Sequence, residues 1–341
     1  MLHRTLRRPR LQLVAPLAIA TAVGALVAPA AAGSAPPASQ PTAKAPATTG
    51  TAIDLQHDRV LIMALGRDES TACRPSSKEL GLNAKISLLQ SFGAPLTGIN
   101  VADWTGESAR LCIRGNRYAS WPDLESLVGG GGAVTSEGVN HEALLSMSKS
   151  DQWQDVCGVE QSYADHELQA TGMYAYSGGP YDAWFQNHLV QYCSAFGRRY
   201  SERLNTMSQL AKPWTLYVHS LNGGCNAGRA TCFGVHPPQK YQTAGHLLNT
   251  TVPAAGQVAV LQIYHLVSGQ TANWNCTGAR SQHATYRTEY YCANDLRAFL
   301  SALPAGVRFA TIDDLAAAVG RAPGQLPGRT LQQYLNGPSH P

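Results

Sequence analysis

Short apolar runs alternate with longer mixed segments along most of the chain. Residues 60–65 are a continuous apolar run, which predicts a buried strand, and they lead into Gly66-Arg67-Asp68-Glu69. From about residue 80 to 92, Leu82, Ile86, Leu89 and Phe92 recur on one face and predict a helix. A strand is expected over 96–101 and a helix over 121–128, the latter broken by the glycines at 129–132. Residues 133–135 predict a short strand that runs into Ser136-Glu137-Gly138-Val139-Asn140-His141. A helix over about 151–169 and a strand over 172–176 follow, the strand closed by a Ser-Gly-Gly-Pro-Tyr-Asp turn ending at Asp182. The next elements are a helix over about 183–193, a strand over 214–218 that meets His219, and a strand over 258–264 that meets His265. The pattern ends with a helix over about 293–302, a short run at 307–310 and a helix over 312–319, for which Thr311 is the expected N-cap. Such alternation predicts a mostly parallel sheet, open or closed into a barrel. In those folds chemistry sits at the C-terminal ends of the strands. The residues found there are Asp68, Glu69, Glu137, His141, Asp182, His219 and His265.

The first residues change the picture of where the protein works. Arg4, Arg7, Arg8 and Arg10 precede an Ala-, Leu- and Val-rich stretch from Leu11 to Val27, which ends in small residues at 28–32. Positive, apolar and small regions in that order are the signature of a cleavable secretory signal peptide. A run this rich in Ala, containing Pro16, is a poor membrane anchor. The expected organisation is a signal peptide at 1–32, an Ala/Pro/Thr-rich linker at 33–50, one domain at 51–325 and a tail at 326–341. The expected location is secreted, extracellular or cell-wall associated, with no stable membrane insertion after cleavage.

The eight cysteines all follow the leader: Cys73, Cys112, Cys157, Cys193, Cys225, Cys232, Cys276 and Cys292. An even number in an exported chain points to disulfides. The simplest pairing is sequential, 73–112, 157–193, 225–232 and 276–292, among about a hundred connectivities that eight cysteines allow. No CxxC pairs suggest a zinc ribbon. Net charge is only +4, with 26 basic and 22 acidic residues, and there is no basic stripe, so nucleic acid is not an expected partner. There is no GxSxG elbow for a serine hydrolase.

The phrases Ser120-Trp121-Pro122, Ser136-Glu137-Gly138-Val139-Asn140-His141, Tyr174 to Asp182 and Leu261 to His265 together resemble the NodB-type polysaccharide deacetylases. The segment from Tyr118-Ala119-Ser120-Trp121-Pro122 through Ser136-Glu137-Gly138-Val139-Asn140-His141-Glu142-Ala143-Leu144 is similar to the family's metal-binding motif. That motif has two histidines, of which His141 is the second and Glu137 replaces the first. Ala94 to Ile99 is similar to the family's second strand, and Tyr174 to Asp182 to its "FAYPxGxYD" turn. Leu261-Gln262-Ile263-Tyr264-His265 resembles the late strand that presents a catalytic histidine, and residues 295–300 and 310–315 fit the family's C-terminal end. The resemblance runs from about 60 to 319. It implies an α/β fold, a distorted (β/α) barrel, binding a divalent metal such as zinc. It also implies removal of N- or O-acetyl groups from a polysaccharide such as peptidoglycan or a chitin-like glycan by a monomer.

This chain departs from the family at two places. Where the family has Asp-Asp-Gly, the strand end reads Gly66-Arg67-Asp68, so Asp68 and Glu69 come one or two residues late. The arginine expected before the Pro-containing turn is absent, with Ala175 near its place.

Deacetylation of this kind needs a metal to polarise the acyl oxygen and activate water, a carboxylate base and an acid for the leaving group. The resemblance offers two ligand sets. In one, Asp68 (or Glu69), Glu137 and His141 hold the metal. In the other, His141, His219 and His265 do, with Glu137 as base. His265 is the expected acid, and Asp68 and Glu137 the candidate bases. Tyr176, Tyr181 and His219 are candidate sugar contacts, although tyrosines more often pack in cores and a lone strand-end histidine is more often structural. Asp182 reads as a helix cap. Two functions stay open: a metal-dependent glycan deacetylase, and a catalytically silent relative that binds glycan or a wall partner.

Overall fold

The structure, a computed structural model, describes residues 52–66, 71–72, 79–113, 116–177, 181–211, 214–221, 242–268 and 290–341. Seven parallel strands close a barrel: β1 (Arg59–Leu65), β2 (Leu96–Asn100), β3 (Ala133–Ser136), β4 (Met173–Tyr174), β5 (Phe196–Tyr200), β6 (Thr215–Leu221) and β7 (Gln257–Ile263). Ring closure runs the full length of β1, from Arg59 opposite Gln257 to Leu65 opposite Ile263. The other edge of β1 is shared. Met63–Leu65 pair with β2, while Arg59–Ile62 pair with an eighth strand, β8 (Val307–Ala310). The strand–helix alternation left the sheet open or closed; it is closed, as the distorted (β/α) barrel that the motif resemblance implies.

Alternation along the strands sorts side chains between lumen and wall. Val60, Ile62, Ala64, Ile99, Met173, Ala175, Phe196, Leu216, Val218, Val258 and Val260 share one inner cluster. Leu61, Met63, Leu65, Val134, Leu221, Ala259, Leu261 and Ile263 face outward instead. They pack on the helices Leu82–Gln90, Trp121–Gly129 and Ala293–Ser301. Each fully buried Leu or Ile in these layers stabilises the fold by about 1.5–3 kcal/mol. The lower end of the lumen is plugged by the helix Ile312–Ala318, whose Ile312, Leu315 and Ala316 join the inner cluster. Thr311 caps that helix as expected, in a reciprocal capping box with Asp314.

Two expected helices are interrupted. The one over 151–169 is Lys149–Trp153, a π-helical turn Gln154–Gly158, then Glu160–Ala164. The one over 183–193 is likewise split by a π-helical turn at Gln186–Val190. The disulfide Cys157–Cys193 joins these two interrupted helices, in agreement with the sequential pairing. Cys112 and Cys292 are also disulfide-bonded. Cys73, Cys225, Cys232 and Cys276, and with them the pairs 73–112, 225–232 and 276–292, lie outside the described residues, as do the leader and linker.

The C-terminal stretch carries a short helix, Leu331–Leu335, whose buried Tyr334 hydroxyl donates to Gln152 Oε1 at 2.7 Å. No helix of the described residues is long and apolar enough to cross a membrane.

Candidate functional site at the barrel mouth

Glu137 is the residue after β3, and strand alternation turns it into the lumen with Ala133 and Thr135. It is 3 % exposed. Its Oε1 lies 3.3 Å from Nη2 of Arg198, the central residue of β5, which is 4 % exposed. His141 Nε2 approaches the same oxygen at 3.4 Å. Arg198 also donates to the Tyr176 carbonyl at 3.3 Å and lies over the Tyr200 ring, 4.5 Å from its centre. Burial works against the Arg198 charge, but the fields of Tyr200, Glu137 and Tyr264 outweigh it and raise its pKa. The Tyr200 and Tyr264 hydroxyls hydrogen-bond to each other across the mouth. Gln262, also turned inward, is fully buried, and neither atom of its side-chain amide has a hydrogen-bond partner among the described residues. Gly66 closes this layer at the top of β1. A side chain there would meet the Gln262 amide and the Tyr264 ring at 2.3 Å, so both would have to move to admit it.

The Glu137–His141 loop is fixed from several sides. Glu137 N–H donates to the Asn100 carbonyl at 2.6 Å, and the Ser177 hydroxyl donates to the Glu137 carbonyl. Gly138 adopts φ +84°, and His141 itself has φ +60° and stacks on Trp104 with ring centres 5.0 Å apart. Below the loop lies Asp155, on the first π-helical turn. Burial raises its pKa to about 6, against hydrogen bonds from Tyr174 and Val139 that lower it.

The sequence-derived residues separate into three groups. Glu137 and His141 are brought together. Asp68, with Glu69, lies outside the described residues. His219, His265, Tyr176 and Tyr181 are turned away from the lumen. His219 belongs to β6, in phase with Tyr217 and Leu221, so it faces the outer layer rather than the site. Burial lowers its pKa, with Gln242 beside it. His265 is 1 % exposed and pairs with Glu79 through Nδ1 at 2.6 Å, one step out of phase with the inward Tyr264. The three-histidine set is therefore not assembled. Tyr176 is buried outside β4, donating to Gln186 Oε1 at 3.1 Å. Tyr181 accepts from the Thr215 hydroxyl at 2.9 Å, with Arg199 stacked on its ring. Asp182 caps its helix, accepting from Trp184 and Phe185 N–H.

Arg198, Asp155 and Gln262 were not foreseen. The sequence signal for Arg198 was a paired arginine beside Phe196, legible only once the strand phase is known.

As arranged, the described residues do not fit the divalent metal that the motif resemblance implies. The ligand carboxylate is already engaged by a guanidinium, and a metal at Oε1 would meet that like charge. Among the described residues no group of three His, Cys, Asp or Glu side chains could hold a metal ion.

No protein-family model matches the chain, and no curated protein sequence matches it. Solved structures do resemble it. A candidate polysaccharide deacetylase from Mycobacterium smegmatis is 12 % identical, with TM-score 0.46, covering 81 % of this chain and 94 % of its own. A T48 deacetylase with substrate is 11 % identical, with TM-score 0.41, covering 78 % and 94 %. The Xyl-CE4 domain of a multidomain xylanase from the hindgut metagenome of Trinervitermes trinervoides is 11 % identical, with TM-score 0.36, covering 76 % and 90 %. Each of the three covers more than three quarters of this chain.

Proposed function

We propose that this chain is a deacetylase-like barrel that binds an acetylated glycan outside the cell and does not hydrolyse it through metal-activated water. The supporting observation is the buried Arg198–Glu137 pair, with His141 on the same carboxylate oxygen. Metal hydrolysis would need that carboxylate and imidazole for the ion and a second group to take a proton from water. Here the negative charge of Glu137 is balanced by a guanidinium that belongs to the protein. The motifs around Glu137–His141, the Tyr174–Asp182 turn and Leu261–His265 support a glycan as the ligand. The leader-like first 32 residues support a place of action where wall glycans lie.

The second reading is a metal-dependent deacetylase. It is favoured by the proximity of Glu137 and His141 at 3.4 Å, and it needs Arg198 to leave Glu137. One set of measurements separates the two. The protein is purified without chelator, and its metal content, its binding to acetylated chitooligosaccharides and peptidoglycan, and acetate release with added zinc are measured for wild type and His141→Ala. Binding without stoichiometric metal or acetate is the expected result. Metal-stimulated acetate release that disappears in His141→Ala would establish the enzyme instead.

A further inference from the structure

Asp155 is 2 % exposed, and each polar contact it makes leads to the wall or the loop of the site. Oδ1 accepts the Val139 N–H at 2.7 Å, and the Asn140 N–H is a further donor to the carboxylate. Oδ2 accepts the Tyr174 hydroxyl at 2.5 Å. Gly138 passes so close that a Cβ there would stand 2.3 Å from Oδ2. The carboxylate thus fills the concave side of the turn that places Glu137 at one end and His141 at the other.

The segment bearing Asp155 is itself held. It is the π-helical turn Gln154–Gly158, and Cys157 in that turn is bonded to Cys193. Cys193 ends the second interrupted helix, whose Gln186 lies behind the other half of the site. Gln186 Oε1 accepts the Tyr176 hydroxyl and would stand 1.8 Å from a Cβ at Gly197, the neighbour of Arg198. π-helical turns recur at functional sites. Here the turn carries the buried Asp155.

We propose that Asp155 is the positioning residue of the mouth, setting the Glu137–His141 loop against Arg198 through hydrogen bonds to the loop backbone. It touches no ligand and acts only through that loop. The proposal rests on this geometry and holds for either reading of the site's function.

The test uses the full chain with Asp155→Ala and Asp155→Asn. Asparagine keeps the acceptor for Val139 and the volume beneath Gly138, and alanine removes both. Amide exchange is followed at Val139 and Asn140, with β1 and β7 as internal reference, and the His141 ring protons, shifted by the stacked Trp104, are followed by NMR. Asp155→Ala is expected to speed exchange at Val139 and Asn140 by about tenfold or more, the weight of buried donors left without an acceptor. It should also move the His141 signals, with β1 and β7 unchanged. Asp155→Asn is expected to stay within about twofold of wild type. Unchanged loop exchange in Asp155→Ala would overturn the proposal, as would equal loss in both variants or faster exchange throughout the barrel.

Discussion

The two ends of the barrel bury carboxyl groups in opposite ways. At the mouth, Glu137 is matched by the fixed charge of Arg198 at 3.3 Å. At the floor, Glu160 Oε1 and Asp313 Oδ1 are shut away from solvent with no hydrogen-bond partner among the described residues. Burial raises the Glu160 pKa to about 8, its hydrogen bond from Ala170 N–H opposing and the Asp313 charge adding to the shift. Burial, with Asp314 adding, raises Asp313 to about 7. The same desolvation penalty is met by a counter-charge at one end and by an upward shift of pKa at the other. Only the first arrangement keeps a permanent pair of charges where a ligand would arrive, so the mouth has a polarity that the floor lacks.

The largest effect should come from breaking the mouth pair. Arg198→Met leaves Glu137 buried beside a thioether and is expected to lower stability by about 3–5 kcal/mol, read by urea denaturation. Adding Glu137→Leu should recover most of that loss, because a buried pair replaced by apolar groups is often neutral. If Arg198→Met is tolerated, the contrast between the ends collapses. Next comes the disulfide behind the mouth, whose cysteines are 36 residues apart. Cys157→Ser with Cys193→Ser should lower stability by about 2–4 kcal/mol, measured the same way.

The floor should respond to pH. Folded pKa values of about 8 and about 7 lie above the ordinary 4.5 and 3.8, so the folded chain holds protons that the unfolded chain releases. Their contribution is complete below the ordinary values and is lost as pH rises through 7 and 8. A calorimetric Tm should therefore rise by several degrees from pH 8 to pH 5, at about 2–4 °C per kcal/mol. Glu160→Gln should flatten that slope, and an unchanged slope would place the titration elsewhere. The smallest effect is at the plug helix, where Thr311→Ala removes the cap that accepts Asp314 N–H and should lower stability by about 1 kcal/mol.

The barrel was legible because its central strands are short apolar runs and its helices have ordinary caps, as at Thr311 and Asp182. The Glu137–His141 pair was legible because both residues sit in one short loop. Histidines 219 and 265 show what a sequence hides. Their position near strand ends is visible, but which face they take depends on phase, and one residue reverses it. Arg198 was hidden for a related reason. Phe196-Gly197-Arg198-Arg199-Tyr200 has no continuous apolar run, and only the lumen shows that alternate residues, Phe196 and Arg198, point inward. The π-helical turns have no signature in apolar periodicity, so Asp155 could not be placed.

The divided edge of β1 bears on how the molecule is made. Its lower half waits for Val307–Ala310, about 250 residues on, while its upper half is joined by the next strand of the barrel. Contacts of such long sequence separation form late and slowly. The barrel can thus begin to coil as soon as its first strands meet, yet the lower half of that edge stays open until Val307–Ala310 has emerged. A chain truncated before Val307 should expose that half-edge and associate with itself, so β8 acts as a late cover for an otherwise open strand edge.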